Sequence, residues 1–358
     1  VACPCAVGLA TPVALAAGLN KAARNHILIR DTSALEQMRN VDVVVFDKTG
    51  TLTEGHPTVI GWLWAQGQED HYKDVLLAAE STSDHPLAEA IVTALEGEEQ
   101  VIPAHLDGFE SIAGKGVRVA YQGAEYWVGS HKLLKDYQAN LSDILADMLT
   151  QYESDGNSIV YFGRENDLLA VIAIKDQLRV TSMEAIRELR IQDIEICMLT
   201  GDGERTASSV AGSLGIMRFV ADAMPDDKED FIHKLQLQGK TVAMVGDGVN
   251  DAQALSCADV SIAMGKGTDT LMDTAMITLR TSDLLLLPKV FRLSRQTVSL
   301  MYRNLFWAFI YNTVGIFVAA GVLYPVYDIL LSPALAGAAM ALSCVSVALS
   351  SLRLSSRF

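Results

Sequence analysis

Short runs of β-branched and other apolar residues alternate with helical spacing through the middle of this chain. The runs are Val41 to Phe46, Ile194 to Leu199, Thr241 to Val245 and Val260 to Ala263. Continuous apolar runs of this length, bounded by turn signals, predict strands covered on both faces by helices. Each of the first three ends within two residues of a polar cluster, at the carboxyl edge where open α/β sheets bind ligands. The stretch from Pro57 to Ala173 separates the first run from the rest. It contains its own sheet-like segments, Gly116 to Tyr121 and Ser158 to Phe162. An α/β domain over 19–56 and 174–285, interrupted by an inserted α+β domain over 57–173, is the expected organisation.

The two ends read differently. Asn304 to Leu323 carries no charge over the roughly 20 residues an α-helix needs to cross a bilayer. A second such segment runs from Ile329 to Leu352, after the short turn Tyr324 to Asp328. Arg292, Arg295 and Arg303 precede the pair and Arg353 and Arg357 follow it, which puts both outer ends in the cytoplasm by the positive-inside rule. Val1 to Ala17 is also uncharged, with Lys21, Arg24 and Arg30 behind it. The expectation is a transmembrane helix over 1–18, cut by the start of the chain, a cytoplasmic connecting helix over 286–303, and transmembrane helices over 304–323 and 329–352. With no initiator Met or basic leading segment, the chain reads as a fragment missing its N-terminal part.

Composition agrees with a partly lipid-embedded protein: 50% of residues are hydrophobic and the mean hydropathy is +0.24, high for a soluble chain. A net charge of −15 and no Lys/Arg cluster interleaved with aromatics argue against nucleic acid as a partner. The five cysteines are odd in number and lack the paired spacing of a secreted disulfide scaffold, so the soluble part suits a reducing cytoplasm.

Three polar clusters carry candidate chemistry. Asp47-Lys48-Thr49-Gly50-Thr51-Leu52-Thr53 places a carboxylate at a strand tip with a glycine turn behind it, where it can attack a phosphoryl group. Gly246-Asp247-Gly248-Val249-Asn250-Asp251 supplies carboxylates for Mg²⁺, which prefers few carboxylates plus phosphate oxygens. Thr200-Gly201-Asp202, with Lys228 in Pro225-Asp226-Asp227-Lys228, offers a hydroxyl and an ammonium for developing phosphoryl charge. Each alone is also an ordinary strand-end turn.

Taken along the chain as four motifs, Asp47–Thr53, Thr200–Asp202, the lysine after Pro225, and Gly246–Asp251, they resemble the P-type ATPases, whose haloacid-dehalogenase-like core carries the same four in the same order. The resemblance implies a haloacid-dehalogenase-like phosphorylation domain with an inserted nucleotide-binding domain and transmembrane helices. It assigns Asp47 as nucleophile, with Lys48, Thr49, Thr200, Gly201, Asp202, Lys228 and Asn250 in the catalytic set and Asp47, Thr49, Asp247 and Asp251 on Mg²⁺. A soluble phosphatase of the same fold is the alternative from another class. Such enzymes place a second aspartate two positions after the nucleophile, and Thr49 stands there. Without that acid/base an aspartyl-phosphate persists, as a pump requires. In the family the missing group is a glutamate in a Thr-Gly-Glu loop, a tripeptide that does not occur here. A module that binds ATP without being phosphorylated is a third alternative.

No Walker-type loop is present. Ser83-Asp84-His85-Pro86 and Gly114-Lys115-Gly116 instead resemble the heavy-metal class of these pumps, in which His85, Glu80 five residues earlier, Gly114, Gly116 and Gly129 would contact ATP. Ser130 and Gly203 stand where the family usually has asparagine.

The ion path begins at Cys3-Pro4-Cys5. Residues two apart sit about 200° around a regular helix, so both thiols reach one path only where Pro4 distorts it. Soft thiolates select Cu(I) or Zn(II)-like ions over Na⁺, Ca²⁺ or Mg²⁺; buried packing cysteines are the plainer reading. Tyr311-Asn312 and the face of Met340, Ser343 and Cys344 resemble the copper-transporting subgroup, although Cys344 replaces its usual serine and leaves Ag(I) open. A Zn(II)/Cd(II) pump is the alternative, but its expected acidic ligand in the last helix is absent between Ile329 and Leu352. The resemblance implies ATP-driven Cu(I) transport through an integral membrane protein, placed in a bacterial inner membrane with cytoplasmic catalytic domains. Lipid, a copper chaperone and the N-terminal part of the same pump are its implied partners.

Overall fold

The run beginning at Val41 becomes a strand over Val43–Asp47 that is buried at every position. Its side chains feed two cores in alternation. Val44 and Phe46 pack with Ile196, Met198, Ile262 and Phe291 on one face, while Val43 and Val45 pack with Leu199, Met244, Ile232 and Leu255 on the other. A strand covered on both faces has no polar side to show, which is why the sequence there is uniformly apolar.

The computed structural model describes residues 5–65, 69–83, 85–98, 101–139, 143–247, 251–265, 274–322, 324 and 332–356; the side chains of 5, 69–71, 143–148, 333, 355 and 356 are outside the description. Its strands are β1 (Ile27–Ile29), β2 (Val43–Asp47), β3 (Thr58–Trp64), β4 (Gly108–Ile112), β5 (Gly116–Tyr121), β6 (Ala124–Gly129), β7 (Ser158–Arg164), β8 (Asp167–Lys175), β9 (Glu195–Leu199), β10 (Arg218–Val220), β11 (Val242–Gly246), β12 (Val260–Met264) and β13 (Ile277–Leu279). One sheet runs β1-β13-β12-β11-β2-β9-β10, parallel except where β1 meets β13. With β2 between β11 and β9, the carboxyl ends of all three, and the polar clusters that follow them, open on one edge.

The second sheet runs β3-β8-β7-β6-β5-β4 and is antiparallel throughout. Helices Glu69–Glu80 and Pro86–Glu96 cover one face, burying Leu76, Leu77, Ile91 and Leu95 against Val119, Phe162 and Ile172. Trp127, Leu133, Tyr161 and Val171 fill the other. The chain leaves the first sheet near Thr53 and returns near Leu178, and these two residues pair across the crossing.

Helices Cys5–Arg24, Leu286–Ala319 and Pro333–Ser356 form the remaining body. Among the described residues, two stretches, Ala6–Arg24 and Ala334–Leu354, are long and apolar enough to cross a membrane. The helices expected over 286–303 and 304–323 run on as one unbroken helix over Leu286–Ala319, since nothing between Lys289 and Val314 is Pro or Gly. Its first turns bury Leu287, Val290 and Phe291 against the parallel sheet. Its far part instead exposes Phe306, Phe309 and Phe317, and it stops at Ala319 before Gly321 turns the chain at φ 83. The three helices meet at Ala6, Ala308 and Val347, and Asn304 Nδ2 donates a buried hydrogen bond to Ser351 Oγ at 3.0 Å.

Candidate active site

Asp47 is the last residue of β2, and the chain beyond it folds back tightly. Thr49 is extended and Gly50 takes φ 70, a left-handed conformation that side chains disfavour. A methyl group on Gly50 would lie 1.5 Å from Asp247 Oδ2, so glycine is what lets Asp247 approach Asp47. The loop is held by side chains from far along the sequence. Arg179 Nε donates to Thr51 O at 3.0 Å, and its Nη2 donates to Gly50 O. Thr53 Oγ1 donates to Asp176 Oδ2 at 2.5 Å, and Gly55 N donates to Asp176 Oδ1 at 3.1 Å.

Three carboxylates converge there: Asp47, Asp247 and Asp251 have oxygens within 4.8 Å of one another. Lys228 projects between them from helix Pro225–Leu237, donating to Asp47 Oδ1 at 2.6 Å and to Asp251 Oδ1 at 2.7 Å. Burial works against its ammonium, but the charges of Asp47 and Asp251 outweigh it and raise the Lys228 pKa. Lys228, with the charge of Arg179 acting on Asp247, does not balance three acids. Burial, and then the charge of Asp47, push Asp247 and Asp251 up to about 7. An all-oxygen, electron-rich cluster of this kind fits Mg²⁺, which Asp47, Asp247 and Asp251 would hold.

A second charged group sits beside the first. Lys48 Nζ forms an ion pair with Asp202 and donates to Ser158 Oγ at 3.2 Å. Ser158 Oγ and Thr200 Oγ1 each donate to Asp202, both at 2.7 Å. Burial alone would raise Asp202, but the Lys48 charge and these hydrogen bonds hold it below the usual carboxylate range. Ser158 belongs to β7, so this cluster joins the two sheets.

A cleft of ≈ 690 Å³ opens from these residues toward the antiparallel sheet. It is lined by Asp47, Lys48, Thr49, Thr200, Gly201, Asp202, Lys228, Asp247 and Asp251 at one end, and by Glu80, His85, Gly114, Gly116 and Gly129 at the other. Glu80 ends its helix with a buried carboxyl, which desolvation raises to about 7. His85 caps helix Pro86–Glu96, its Nδ1 accepting from Leu87 N at 3.2 Å, and desolvation lowers its pKa. Gly116 and Gly129 are register partners on β5 and β6. A methyl on Gly116 would meet Val128 O at 2.1 Å, and one on Gly129 would meet Lys115 O at 2.1 Å. Two strands with bare backbone at the cleft wall, and a donor and acceptor-lined space of this size, fit a nucleotide. Ser130 Oγ is buried there without a hydrogen-bond partner.

In the helical body, Cys344 packs beside Val347 where Ala6 and Ala308 meet, and Asn312 Nδ2 donates to Ala308 O at 3.0 Å. Met340 and Ser343 are half-buried on the same helix. Tyr311 is not drawn into that junction; it is exposed and stacks on Trp307. Cys3 and Asn250 lie outside the described residues, and of Cys5 only the backbone is described.

Ser158, Asp176 and Arg179 were not singled out from sequence. Asp176 and Arg179 follow the last apolar run of β8, and a charged pair just past a strand end is the signal that could have found them.

Comparison with known proteins places this geometry. Residues 41–259 match the family of haloacid dehalogenase-like hydrolases. The chain is 43% identical over 354 residues to a copper-exporting P-type ATPase of Legionella pneumophila, covering 99% of this chain and 48% of that protein. It is 44% identical over 359 residues to a silver exporting P-type ATPase of Salmonella typhimurium, covering 99% and 43%. The chain therefore spans about half the length of the curated relatives it matches. Among solved structures, a zinc-transporting PIB-type ATPase in its E2.Pi state aligns over 99% of this chain and 56% of its own, with a TM-score of 0.69 and 35% identity. The catalytic domain of a CPx-ATPase aligns over 76% and 97%, with a TM-score of 0.63 and 28% identity. On the extent of the family match, joined to this likeness in sequence and structure to metal-transporting P-type ATPases, the chain belongs to the haloacid dehalogenase-like hydrolases.

Proposed function

We infer that this chain carries the phosphoryl-transfer machinery and part of the ion path of a P-type ATPase that exports Cu(I) across a bacterial inner membrane. The observation that carries the reading is the convergence of Asp47, Lys228, Asp247 and Asp251 at one sheet edge, facing a cleft lined at its other end by Glu80 and His85. Asp47 attacks the γ-phosphorus of ATP; a bond forms from its carboxylate oxygen to phosphorus, and the bond to the ADP oxygen breaks. Lys228, Lys48 and Thr200 offset the charge that develops on the phosphoryl oxygens. Mg²⁺ supplies neutralisation of phosphate and carboxylate charge when bound by Asp47, Asp247 and Asp251. Thr49 carries no carboxyl, so nothing two residues from Asp47 activates water and the aspartyl-phosphate is long-lived.

Exposed Phe306, Phe309, Phe317, Leu335, Leu342 and Leu349 make an apolar surface that suits lipid contact. Cu(I) passes among soft or neutral donors: Cys3, Cys5, Asn312, Met340, Ser343 and Cys344, with Tyr311 at the rim. The zinc-transporting structural relative favours a second reading, a divalent cargo. Helix Pro333–Ser356 carries no Asp or Glu, and a thioether with thiols suits Cu(I) better than a divalent ion that needs charge compensation.

The test is labelling of the detergent-purified chain with γ-labelled ATP and Mg²⁺. Acid-stable, hydroxylamine-sensitive label is expected on the parent and none on Asp47→Asn. ATP binding without label would reduce the chain to a binding module, and rapid release of phosphate would make it a phosphatase. Loss of tight Cu(I) binding in Met340→Ala and Cys5→Ser is expected; preferential Zn(II) binding indifferent to Met340 favours the divalent reading.

A further inference from the structure

Helix Pro225–Leu237 carries a second set of donors just past Lys228, on the side away from the cleft. Glu229 and His233 stand four residues apart and so share one face. Cys257, the last residue of helix Ala252–Cys257, meets them. Donor atoms of Glu229, His233 and Cys257 all lie within 4.8 Å of one another. Cys257 Sγ is 3.4 Å from Glu229 Oε1, and His233 Nε2 is 3.5 Å from the same oxygen. With Zn–S near 2.3 Å and Zn–N or Zn–O near 2.0 Å, a tetrahedral ion holds its donors roughly 3.3 to 3.5 Å apart. Both edges have the length a tetrahedral metal site requires.

The surroundings orient these donors. His233 Nδ1 lies 3.1 Å from Gln236 Oε1. An amide oxygen only accepts, so Nδ1 is the donor of this pair and Nε2 is the ring nitrogen that faces Glu229 and Cys257. Such a hydrogen bond on the remote nitrogen is the usual support of a metal-bound histidine. The amide nitrogen of the same Gln236 donates to Cys257 O at 2.9 Å, tying the supporting side chain to both helices. Cys257 and Glu229 are partly exposed and His233 is open to solvent, so an ion can enter.

We propose that Glu229, His233 and Cys257 form a binding site for a borderline transition-metal cation of the Zn(II) type, with the fourth position left to water. A thiolate, an imidazole and a carboxylate together select such an ion over Mg²⁺ or Ca²⁺, which take oxygen donors. The site is distinct from the all-oxygen cluster of Asp47, Asp247 and Asp251. Binding releases the thiol proton of Cys257 to solvent. The ion joins the helix that supplies Lys228 to the helix that begins right after Asp251, and so holds together the two elements that make the Lys228–Asp251 contact.

Alkylation of the detergent-purified full chain by iodoacetamide, read peptide by peptide with mass spectrometry, tests this. Zn(II) is supplied in excess over all five cysteines, so that binding at Cys3 and Cys5 does not deplete it and does not register on the Cys257 peptide. Zn(II) is expected to slow alkylation of Cys257 by about tenfold or more, because the bound thiolate is no longer a free nucleophile. His233→Gln and Glu229→Gln are each expected to restore the metal-free rate, and EDTA to restore it in the parent. Zn(II) is also expected to raise the melting temperature of the parent more than that of Cys257→Ser. An unchanged alkylation rate at Cys257, or protection that survives both substitutions, overturns the site. Protection without the difference in melting temperature overturns the bridging role.

Discussion

At the scale of single residues, the energetics of the cleft are set by buried ionisable groups. Glu80 shows the consequence in a form that pH can read. Its carboxyl is raised by desolvation to about 7 from 4.5, so the folded chain holds the proton more tightly than the unfolded chain does. Below the unfolded value both states are protonated and the group has no effect on stability. As pH rises from there through about 7, the unfolded chain gives up its proton first, and the folded state is destabilised progressively. The full penalty above that range is about 3 kcal/mol. Glu80→Gln removes the ionisable group while keeping its shape. Urea unfolding in the absence of nucleotide should therefore find the variant similar to the parent near pH 4.5 and more stable than it by up to about 3 kcal/mol at about pH 8. A constant difference across that range would mean that Glu80 keeps its charge without cost, through a contact that compensates its burial.

At the scale of elements, the bare backbones of β5 and β6 form one wall of the cleft. Gly116 has φ 142, and a methyl group there would lie 2.1 Å from Val128 O. Gly116→Ala should separate the two strands and cost about 2 kcal/mol or more in stability. It should weaken ATP binding, measured by calorimetry, more than Gly123→Ala, where a methyl meets nothing within 4 Å although φ is also positive. Equal losses in both would assign the effect to backbone strain rather than to the wall. This pair also shows what the sequence can and cannot carry. The parallel sheet was legible because β2, β9, β11 and β12 are continuous apolar runs that end in polar turns, and both the period and the breakpoints are local properties. Gly-Lys-Gly was visible as a motif, but its cross-strand partner Gly129 is fixed by register, which no local pattern states. The continuity of the helix through residue 303 has a local cause. Arg303 and the uncharged stretch after it mark a change of surroundings from water to lipid, and a change of surroundings does not break a helix that has no Pro or Gly at that point.

At the scale of the whole molecule, the two sheets are connected by only two crossing segments, and Asp176 clasps them. Its two oxygens accept from Thr53 Oγ1 and Gly55 N on the outgoing segment, while Arg179, three residues on, holds the carbonyls of Gly50 and Thr51. The pairing itself is not written in the sequence, because the partners are separated by 121 to 129 residues: Gly50, Thr51 and Thr53 lie in a visible motif, but no local pattern states that Asp176 and Arg179 fold onto it. The physical role follows from the geometry. A carboxylate that fixes both segments makes the orientation of the antiparallel sheet depend on the loop that carries Asp47, so the two bodies should unfold together. Asp176→Ala removes both hydrogen bonds and should cost about 1 to 3 kcal/mol. Its signature is the loss of this coupling. Three of the four tryptophans, Trp62, Trp64 and Trp127, lie in the antiparallel sheet, so tryptophan fluorescence follows that sheet while far-ultraviolet circular dichroism follows the whole chain. The two probes should give coincident thermal transitions in the parent and separated ones in Asp176→Ala, with fluorescence changing at the lower temperature. Coincident transitions in both proteins would move the coupling to the other contacts between the two bodies, among them Ser158 with Asp202, Arg205 with Glu153, Lys132 with Asp222 O and Thr206 with Asn157 O.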